Sequence, residues 1–567
     1  MKGKIKYWIA GAALVVCGAV FVAAENPDFK MGRSIEILIN VFRDVNMFYV
    51  DETDPEELLR DAAMGLTYNL DPYTEWMPAE GMEDFEIMTT GKYGGIGSMI
   101  RKKGDYITIA QPYAGSPANK AGLVIGDRLV AVDGVNVVGM DADKVSARLK
   151  GDPGTELTLT VLKLMSGREE TLTLTRERIN ISGIPYYGML NDSVGYIKHK
   201  DFSENCSEDL RRAFLDLRDK QGMKSLVLDY RGNGGGILQE AVKILSMFVP
   251  RGTEVVSMRG RGPETTLVFK TEHEPIDLEI PIAVLTGLDY RGGGSILMPE
   301  ISASAAEIVS GALQDLDRGV LVGQRTYGKG LVQSTRPVGY NSYLKITTAK
   351  YYIPSGRCIQ AIDYAHRNED GSVSFVPDSL INEFTTRNGR KVYDGGGIMP
   401  DIRVEPDEYS LFTVITESRG YIEDFCDEYM RRNPAPMNLR TFAITDKIYG
   451  EFVRFMADKD VEYQSRTKLA LEELRKNAER ELYYEGIKEQ VAAIESRLKD
   501  DKDNSLQLYR QQLASLILDN LILRHYYARG LTEYHLPRDE AVREALEVLR
   551  DGGRYRTILT SQDTSRK

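Results

Sequence analysis

Three short apolar runs constrain this chain most: Ser225-Leu-Val-Leu-Asp229, Pro281-Ile-Ala-Val-Leu285 and Gly319-Val-Leu-Val-Gly323, each bounded by glycine, proline or charge. Their residues are apolar at consecutive positions, not alternate ones. That pattern suits strands buried on both faces, which belong to mostly parallel sheets. Parallel neighbours need crossover connections, and helical stretches such as Glu204–Lys220 and Gln239–Met247 lie between the runs. Residues 179–405 therefore read as an α/β core.

The flanking regions have different textures. In residues 25–85, Ile35, Leu38, Ile39 and Phe42 fall at helical spacing. Pro55 opens a second helix over Glu56–Leu70, which Asn69-Leu-Asp-Pro-Tyr73 ends, because the residue before a proline avoids the helical region. Residues 86–178 are β-rich. A glycine loop, Tyr93-Gly-Gly-Ile-Gly97, precedes period-two segments at Tyr106–Ala110, Leu157–Val161 and Thr171–Thr175. Such alternation marks half-buried strands. After Pro406 strand signals vanish. Leu471, Leu474, Ala478 and Leu482, then Ile487, Val491, Ile494 and Leu498, predict amphipathic helices. Residues 406–567 read as a helical extension packed on itself or on the core, with an adaptor or a homo-oligomer contact as its alternative use.

The first 24 residues have their own logic. Lys2, Lys4 and Lys6 precede an apolar run from Tyr7 to Ala24. This is a positive n-region followed by an h-region close to the ~20 residues that span a bilayer. A cleaved signal peptide, with Val22-Ala-Ala24 as the cleavage site, and a retained anchor are both open. Either exports the rest of the chain, which places it in the periplasm, free or held at the inner membrane.

Composition removes several functions. The formal charge of −12 disfavours a general nucleic-acid binder. Four cysteines without a CxxC exclude a disulfide scaffold and a zinc ribbon, and five scattered histidines form no HExxH. No metal and no cofactor is expected.

Three segments can carry chemistry. In Ser302-Ala-Ser304-Ala-Ala-Glu307, small residues crowd a serine at the start of an apolar helix. Unpaired N–H groups and the positive end of the helix dipole favour a developing oxyanion there. Gly328-Lys-Gly330 places a lysine between two glycines. It is not a phosphate loop, because Gly330 stands where that motif needs Ser or Thr. A lysine kept neutral can instead serve as base for a serine nucleophile, and Gln333 is spaced to orient its amine. Asp229-Tyr-Arg-Gly-Asn-Gly-Gly-Gly236 follows an apolar run and can present N–H groups as an anion nest.

Together these segments resemble the carboxyl-terminal processing peptidases, or tail-specific proteases. The resemblance implies Ser304 as nucleophile, Lys329, 25 residues further on, as general base, and Gln333 as its orienter. It implies an oxyanion hole from Gly235, Gly236 and Ala305, and support roles for Glu307 and Asp315. Tyr93-Gly94-Gly95-Ile96-Gly97, with Gly115-Ser-Pro-Ala118 and Gly126-Asp127, looks like that family's embedded PDZ domain, and implies peptide binding at residues 93–97. The implied fold is a ClpP/crotonase-like core with an inserted PDZ domain, and the implied partners are proteins or peptides with free C-termini. The alternative is a PDZ-containing binding scaffold with an inactive peptidase core.

One stretch departs from the family. Between Thr286 and Ser304 lies Leu288-Asp-Tyr-Arg-Gly-Gly-Gly-Ser-Ile-Leu297, an echo of Leu228-Asp-Tyr-Arg-Gly-Asn-Gly-Gly-Gly-Ile-Leu238. Its three glycines are costly to order. The expectation is a latent enzyme whose oxyanion hole forms when this loop is ordered.

Overall fold

The computed structural model describes residues 27–289, 300–434, 437–461, 466–497 and 502–560. The expected leader at 1–24 and most of the extra loop at 288–300 lie outside them, so the latency expectation does too. Among the described residues no helix is long and apolar enough to cross a membrane.

The chain divides into two compact units, residues 1–82 with 333–347, and the remainder. In the first, helices α1 (Pro27–Phe48) and α2 (Pro55–Thr67) precede strand β1 (Glu75–Met77). Asp54 caps α2 by accepting the Glu56 N–H, and Pro55 occupies the first turn, where its missing N–H costs nothing. The helix stops at Thr67, short of the expected Leu70. Beyond it Asp71 folds the chain back, accepting the N–H groups of Tyr73 and Thr74 at 2.9 and 3.0 Å. β1 pairs antiparallel with Tyr343–Lys345.

The second unit opens with the β-rich module. Its strands are β2 (Lys92–Gly95), β3 (Ser98–Lys103), β4 (Tyr106–Pro112) and β5 (Arg128–Val132). Helix α3 (Ala142–Leu149) follows, then β6 (Glu156–Leu162), β7 (Glu169–Thr175) and β8 (Glu177–Asn180). The main sheet runs β3-β4-β5-β6-β7, so β3 is an edge, while β2 pairs with β8. Alternation in β6 turns Leu157, Leu159 and Val161 into a core shared with Ile107, Ile109 and Leu129.

The α/β core comprises β9 (Tyr186–Met189), β10 (Val194–Lys198), α4 (Cys206–Leu215), β11 (Ser225–Asp229), α5 (Leu238–Ser246) and β12 (Glu254–Gly260). It continues with β13 (Ile282–Thr286), the hairpin β14 (Leu288–Asp289) and β15 (Glu300–Ile301), α6 (Ala305–Asp315) and β16 (Val320–Gly323). Of β17 (Leu331–Gly339) and β18 (Ser342–Tyr352), residues 333–347 belong to the first unit, and β19 (Ile402–Arg403) completes the core. The central sheet has the order β9-β10-β11-β13-β16-β19, parallel except for β9. The three apolar runs are its three central strands.

A parallel sheet needs both faces covered. Ile197, Leu226, Leu228, Ile282, Val284 and Leu321 meet α4, α5 and α6. The opposite face, Val194, Tyr196, Val227, Ala283, Leu285, Val320 and Val322, is covered from far along the chain, by α13 (Glu540–Arg550) and α14 (Gly552–Thr560). Before them come α7 (Leu411–Ser418), α8 (Tyr421–Arg432), α9 (Asp446–Phe455), α10 (Arg466–Arg480), α11 (Tyr484–Arg497) and α12 (Arg510–His535). Of these, α7, α8, α9 and α12 share an apolar core of their own.

Candidate active site

The carboxyl ends of β11, β13 and β16 bring the three chemical segments together. At the end of β11, buried Asp229 accepts hydrogen bonds from Tyr196 Oη and Arg231 Nη2, both at 2.7 Å, and from the Arg231 N–H at 2.9 Å. Burial pushes its carboxyl up, but Arg231 and Lys198 outweigh that and hold it well below the usual range. The ion pair fixes the start of the turn. Fully buried Asn233 fixes its middle: Nδ2 donates to the His199 carbonyl at 2.8 Å, and its own carbonyl accepts the Ala303 N–H at 2.8 Å. The turn is thereby stitched to the residue before the candidate nucleophile.

Gly235 lies directly against Ser304. A Cβ built on it would stand 2.7 Å from Ser304 Cβ and 3.0 Å from the Ala305 nitrogen, so only glycine fits. Its N–H, expected in the oxyanion hole, donates at 2.9 Å to Asn233 Oδ1. Gly236 differs. Phe202 bonds the carbonyl of Gly235 and the N–H of Ile237, a parallel bridge in which the N–H of Gly236 points away from Phe202. Ala305, at the first position of α6, has no intrahelical acceptor for its N–H.

Ser304 has φ 54° and ψ −116°, a sparsely populated conformation for a residue with a side chain. Such strain is kept only where surrounding contacts over-determine it. Fully buried Glu307 supplies those contacts. Its Oε2 accepts the N–H of Ser304 at 2.8 Å and that of Lys329 at 2.9 Å. Its Oε1 accepts Thr326 Oγ1 at 2.5 Å and the Gly328 N–H at 2.7 Å. One carboxylate thus closes the serine turn and draws the Gly-Lys-Gly loop onto it. Burial raises the carboxyl above its ordinary value, and the four donors pull it back only in part. Tyr351 adds a second tie, its hydroxyl lying within hydrogen-bond reach of the carbonyl oxygens of both Ser304 and Lys329. Lys329 is half-buried.

Gln333 belongs to the other unit, where its Nε2 donates to Thr347 Oγ1 at 3.1 Å. Asp315 sits at the far end of α6. It pairs with Arg357 at 2.9 Å and accepts the Ser355 N–H at 3.0 Å, an anchor for the helix C-terminus away from the serine. The sequence reading missed Asn233 and Tyr351. Asn233 had a signal, standing two residues before a double glycine inside an anion-nest turn; Tyr351, on a strand of ordinary β residues, had none.

In the β-rich module, Gly94 and Gly97 are packed too tightly for side chains. A Cβ would stand 2.1 Å from the Gly151 carbonyl oxygen in one case and 2.4 Å from Ser116 Cβ in the other. Tyr93 and Gly94 are half-buried, whereas Gly95, Ile96 and Gly97 are buried. The carbonyls of Ile96 and Gly97 are taken by Ala118 N–H, Tyr113 N–H and Ser116 Oγ. Among the described residues, no acceptor meets the N–H groups of Ile96 and Gly97, so the loop offers donors and keeps its carbonyls turned away.

Comparison with known proteins bears on this geometry. The sequence model of "Peptidase family S41" matches residues 193–366, that of "PDZ domain" residues 108–163, and that of "Probable PDZ-protease, C-terminal helical domain" residues 412–549. A "Carboxy-terminal-processing protease" of Bartonella bacilliformis is 32% identical over 369 residues, 64% of this chain and 81% of the relative. The chain belongs to peptidase family S41. A "Probable CtpA-like serine protease" of Staphylococcus aureus is 31% identical over 386 residues, 67% of each chain. Among solved structures, the photosystem II D1 C-terminal processing protease is 26% identical, covering 64% of this chain and 86% of its own, with a TM-score of 0.35. A peptide complex of the PDZ domain of a Vibrio cholerae carboxy-terminal protease is 32% identical over 16% of this chain and 99% of its own, with a TM-score of 0.15. This S41 chain is thus a serine-type protease with an inserted PDZ domain and a helical C-terminal domain.

Proposed function

We propose that this S41 protease is an exported endopeptidase that cuts proteins near their C-terminal tails with a Ser304–Lys329 dyad, its PDZ domain reading the free carboxylate. The observation that carries the reading is the Glu307 carboxylate, which binds the main chains of Ser304 and Lys329 through a single oxygen. Two segments whose chemistry is complementary are held within two hydrogen-bond lengths of each other.

In the proposed reaction, neutral Lys329 Nζ takes the proton of Ser304 Oγ as that oxygen bonds to the scissile carbonyl carbon. The N–H groups of Ala305 and Gly236 receive the negative charge that develops on the carbonyl oxygen. The lysine then returns the proton to the leaving amine as the C–N bond breaks. Water, deprotonated by the same lysine, bonds to the acyl carbon, and the lysine passes that proton to Ser304 Oγ as the ester bond breaks and the new C-terminal acid leaves. Gln333 is proposed to orient the amine, and Gly94–Gly97 to hold the substrate carboxylate while its last residues add as a strand to the PDZ edge.

Digestion of an unfolded protein by wild type and variants tests the dyad. Ser304→Ala and Lys329→Ala should each lose several orders of magnitude in rate while keeping the fold. Lys329→Arg should be equally inactive, since a guanidinium stays protonated. Turnover retained by any of the three overturns the dyad. Protease accessibility on intact spheroplasts tests export; protection of residues 25–567 would refute it.

A further inference from the structure

The edge strand of the PDZ domain has an unusual charge and an unusual neighbour. β3 ends Arg101-Lys102-Lys103 and contains no acid. It pairs only with β4, so among the described strands its other edge is open. Lys102 reaches across to the start of α3, where Asp141 Oδ1 accepts it at 2.7 Å. Met99, Arg101 and Lys103 share the opposite face, since side chains alternate along a strand. On that face the cations meet helix α8 of the C-terminal domain. Arg101 pairs with Glu423, while Lys103 lies 2.7 Å from Asp424 and 3.4 Å from both Glu423 and Asp427. Arg524 of α12, almost fully buried, holds Asp427 at 2.7 Å and steadies that acidic face.

We infer that the Met99–Arg101–Lys103 face is a specificity surface for acidic side chains upstream of the substrate's terminal carboxylate, and that the acids of α8 occupy it until such a tail arrives. The inference rests on the reading of the PDZ domain as a tail binder. An incoming strand with its carboxylate at Ile96 and Gly97 runs antiparallel to β3. Its first side chain on this face meets Met99. The next two, two and four residues further from the end, meet Arg101 and Lys103. The preferred substrate is therefore an apolar C-terminus preceded by alternate acidic residues. Glu423 and Asp424 are stand-ins for those residues: carboxylates already seated on the same two cations. An acidic tail exchanges one set of ion pairs for another, whereas a neutral tail leaves α8 in place and a basic tail is repelled.

The test uses the full chain and three fluorescent peptides with the same three apolar C-terminal residues, a free carboxylate, and Glu, Gln or Lys at the two upstream positions. Binding is read by anisotropy on the Ser304→Ala protein, and KM and kcat are read on the active protein. At low salt the Glu peptide should bind about three- to tenfold more tightly than the Gln peptide, as two partly exposed ion pairs allow, and the Lys peptide more weakly still. The difference should shrink in 0.5 M salt, where such pairs are screened. Arg101→Gln with Lys103→Gln should erase the preference for the Glu peptide over the Gln peptide, and Arg101→Lys should retain it. Glu423→Gln with Asp424→Asn should widen it by freeing both cations. Equal affinities for the Glu and Gln peptides in wild type and in the Glu423/Asp424 variant overturn the inference. Failure to cleave even the Gln peptide would instead overturn the tail-protease reading.

Discussion

Ending the chain at Asp539 should unfold the peptidase core, although every candidate catalytic residue lies more than 200 positions upstream. The removed helices α13 and α14 contribute Ala541, Val542, Ala545, Val548 and Tyr555 to the cluster on the second face of the central sheet. Without them Val194, Val227, Leu285, Val320 and Val322, which are 0–5% exposed in the full chain, face water. At about 1.5–3 kcal/mol per fully exposed aliphatic side chain, the five together lose about 8–15 kcal/mol. That is an upper bound, because neighbouring chain partly collapses over the gap. It still reaches the whole stability of a typical domain, about 5–15 kcal/mol. Tyr555 adds to the loss, since its hydroxyl accepts the Ile282 N–H at 3.0 Å in the centre of the sheet. Urea unfolding followed by far-UV circular dichroism, with limited proteolysis of residues 193–366, measures the outcome. The truncated chain should show no cooperative transition for the core and rapid cleavage within it. A soluble truncated chain with the full-length urea midpoint would refute the view that these helices belong to the core.

Glu307→Gln should cost about 2–6 kcal/mol of stability, because the amide nitrogen would face two of the four donors and leave them unpaired at about 1–3 kcal/mol each. Thermal melts check the loss, and kcat should fall at least a hundredfold with KM little changed; an unaltered melt and kcat would remove Glu307 from the positioning role. Amidating the C-terminus of a model substrate should slow its cleavage severalfold or more, and equal rates for free and amidated forms would show that the PDZ loop does not read tails. Buried His199, packed on Phe202 and Tyr230, is pushed down to about 3 by desolvation. The unfolded chain therefore takes up this proton near pH 6.5 and the native state does not, so stability is lost as pH falls from 6.5 toward 3, by about 2–3 kcal/mol at pH 4.5. His199→Phe should flatten that part of the stability–pH curve in urea titrations; an unchanged acid limb would contradict the assignment.

How much the sequence disclosed follows from the range of the forces involved. Whether apolar residues are consecutive or alternate reflects local burial, and so the strands at 225–229, 282–286 and 320–323 and those of the PDZ domain were readable. The serine at the head of α6 was readable because small residues and a capping acid are local too. Other features depended on distant partners. Nothing in the sequence around Gly235 says that its N–H meets Asn233 Oδ1, because that contact depends on turn dihedrals. The resemblance gives Glu307 only a support role, and three of its four donors come from a loop about twenty residues away. In the tail, helical spacing identified Leu474 and Leu482 as apolar positions, yet they are 43% and 92% exposed. Periodicity fixes a face but does not name what covers it.

The same limit explains the most consequential feature of the architecture. Asp539 performs two tasks with one carboxylate: Oδ1 accepts the Val542 N–H at 3.1 Å and caps α13, while Oδ2 pairs with Arg231 Nη1 at 2.7 Å. Arg231 is the residue that Asp229 holds at the entrance to the turn bearing Gly236. The helix that closes the hydrophobic core is thus capped by the group that braces the turn bearing Gly236. Displacing Asp539 removes the cap and the brace together, while Asp229 still holds Arg231. A helical appendage joined only by a linker would leave the serine site indifferent to its presence. Here, packing and electrostatics couple α13 and α14 to the turn of the proposed oxyanion site.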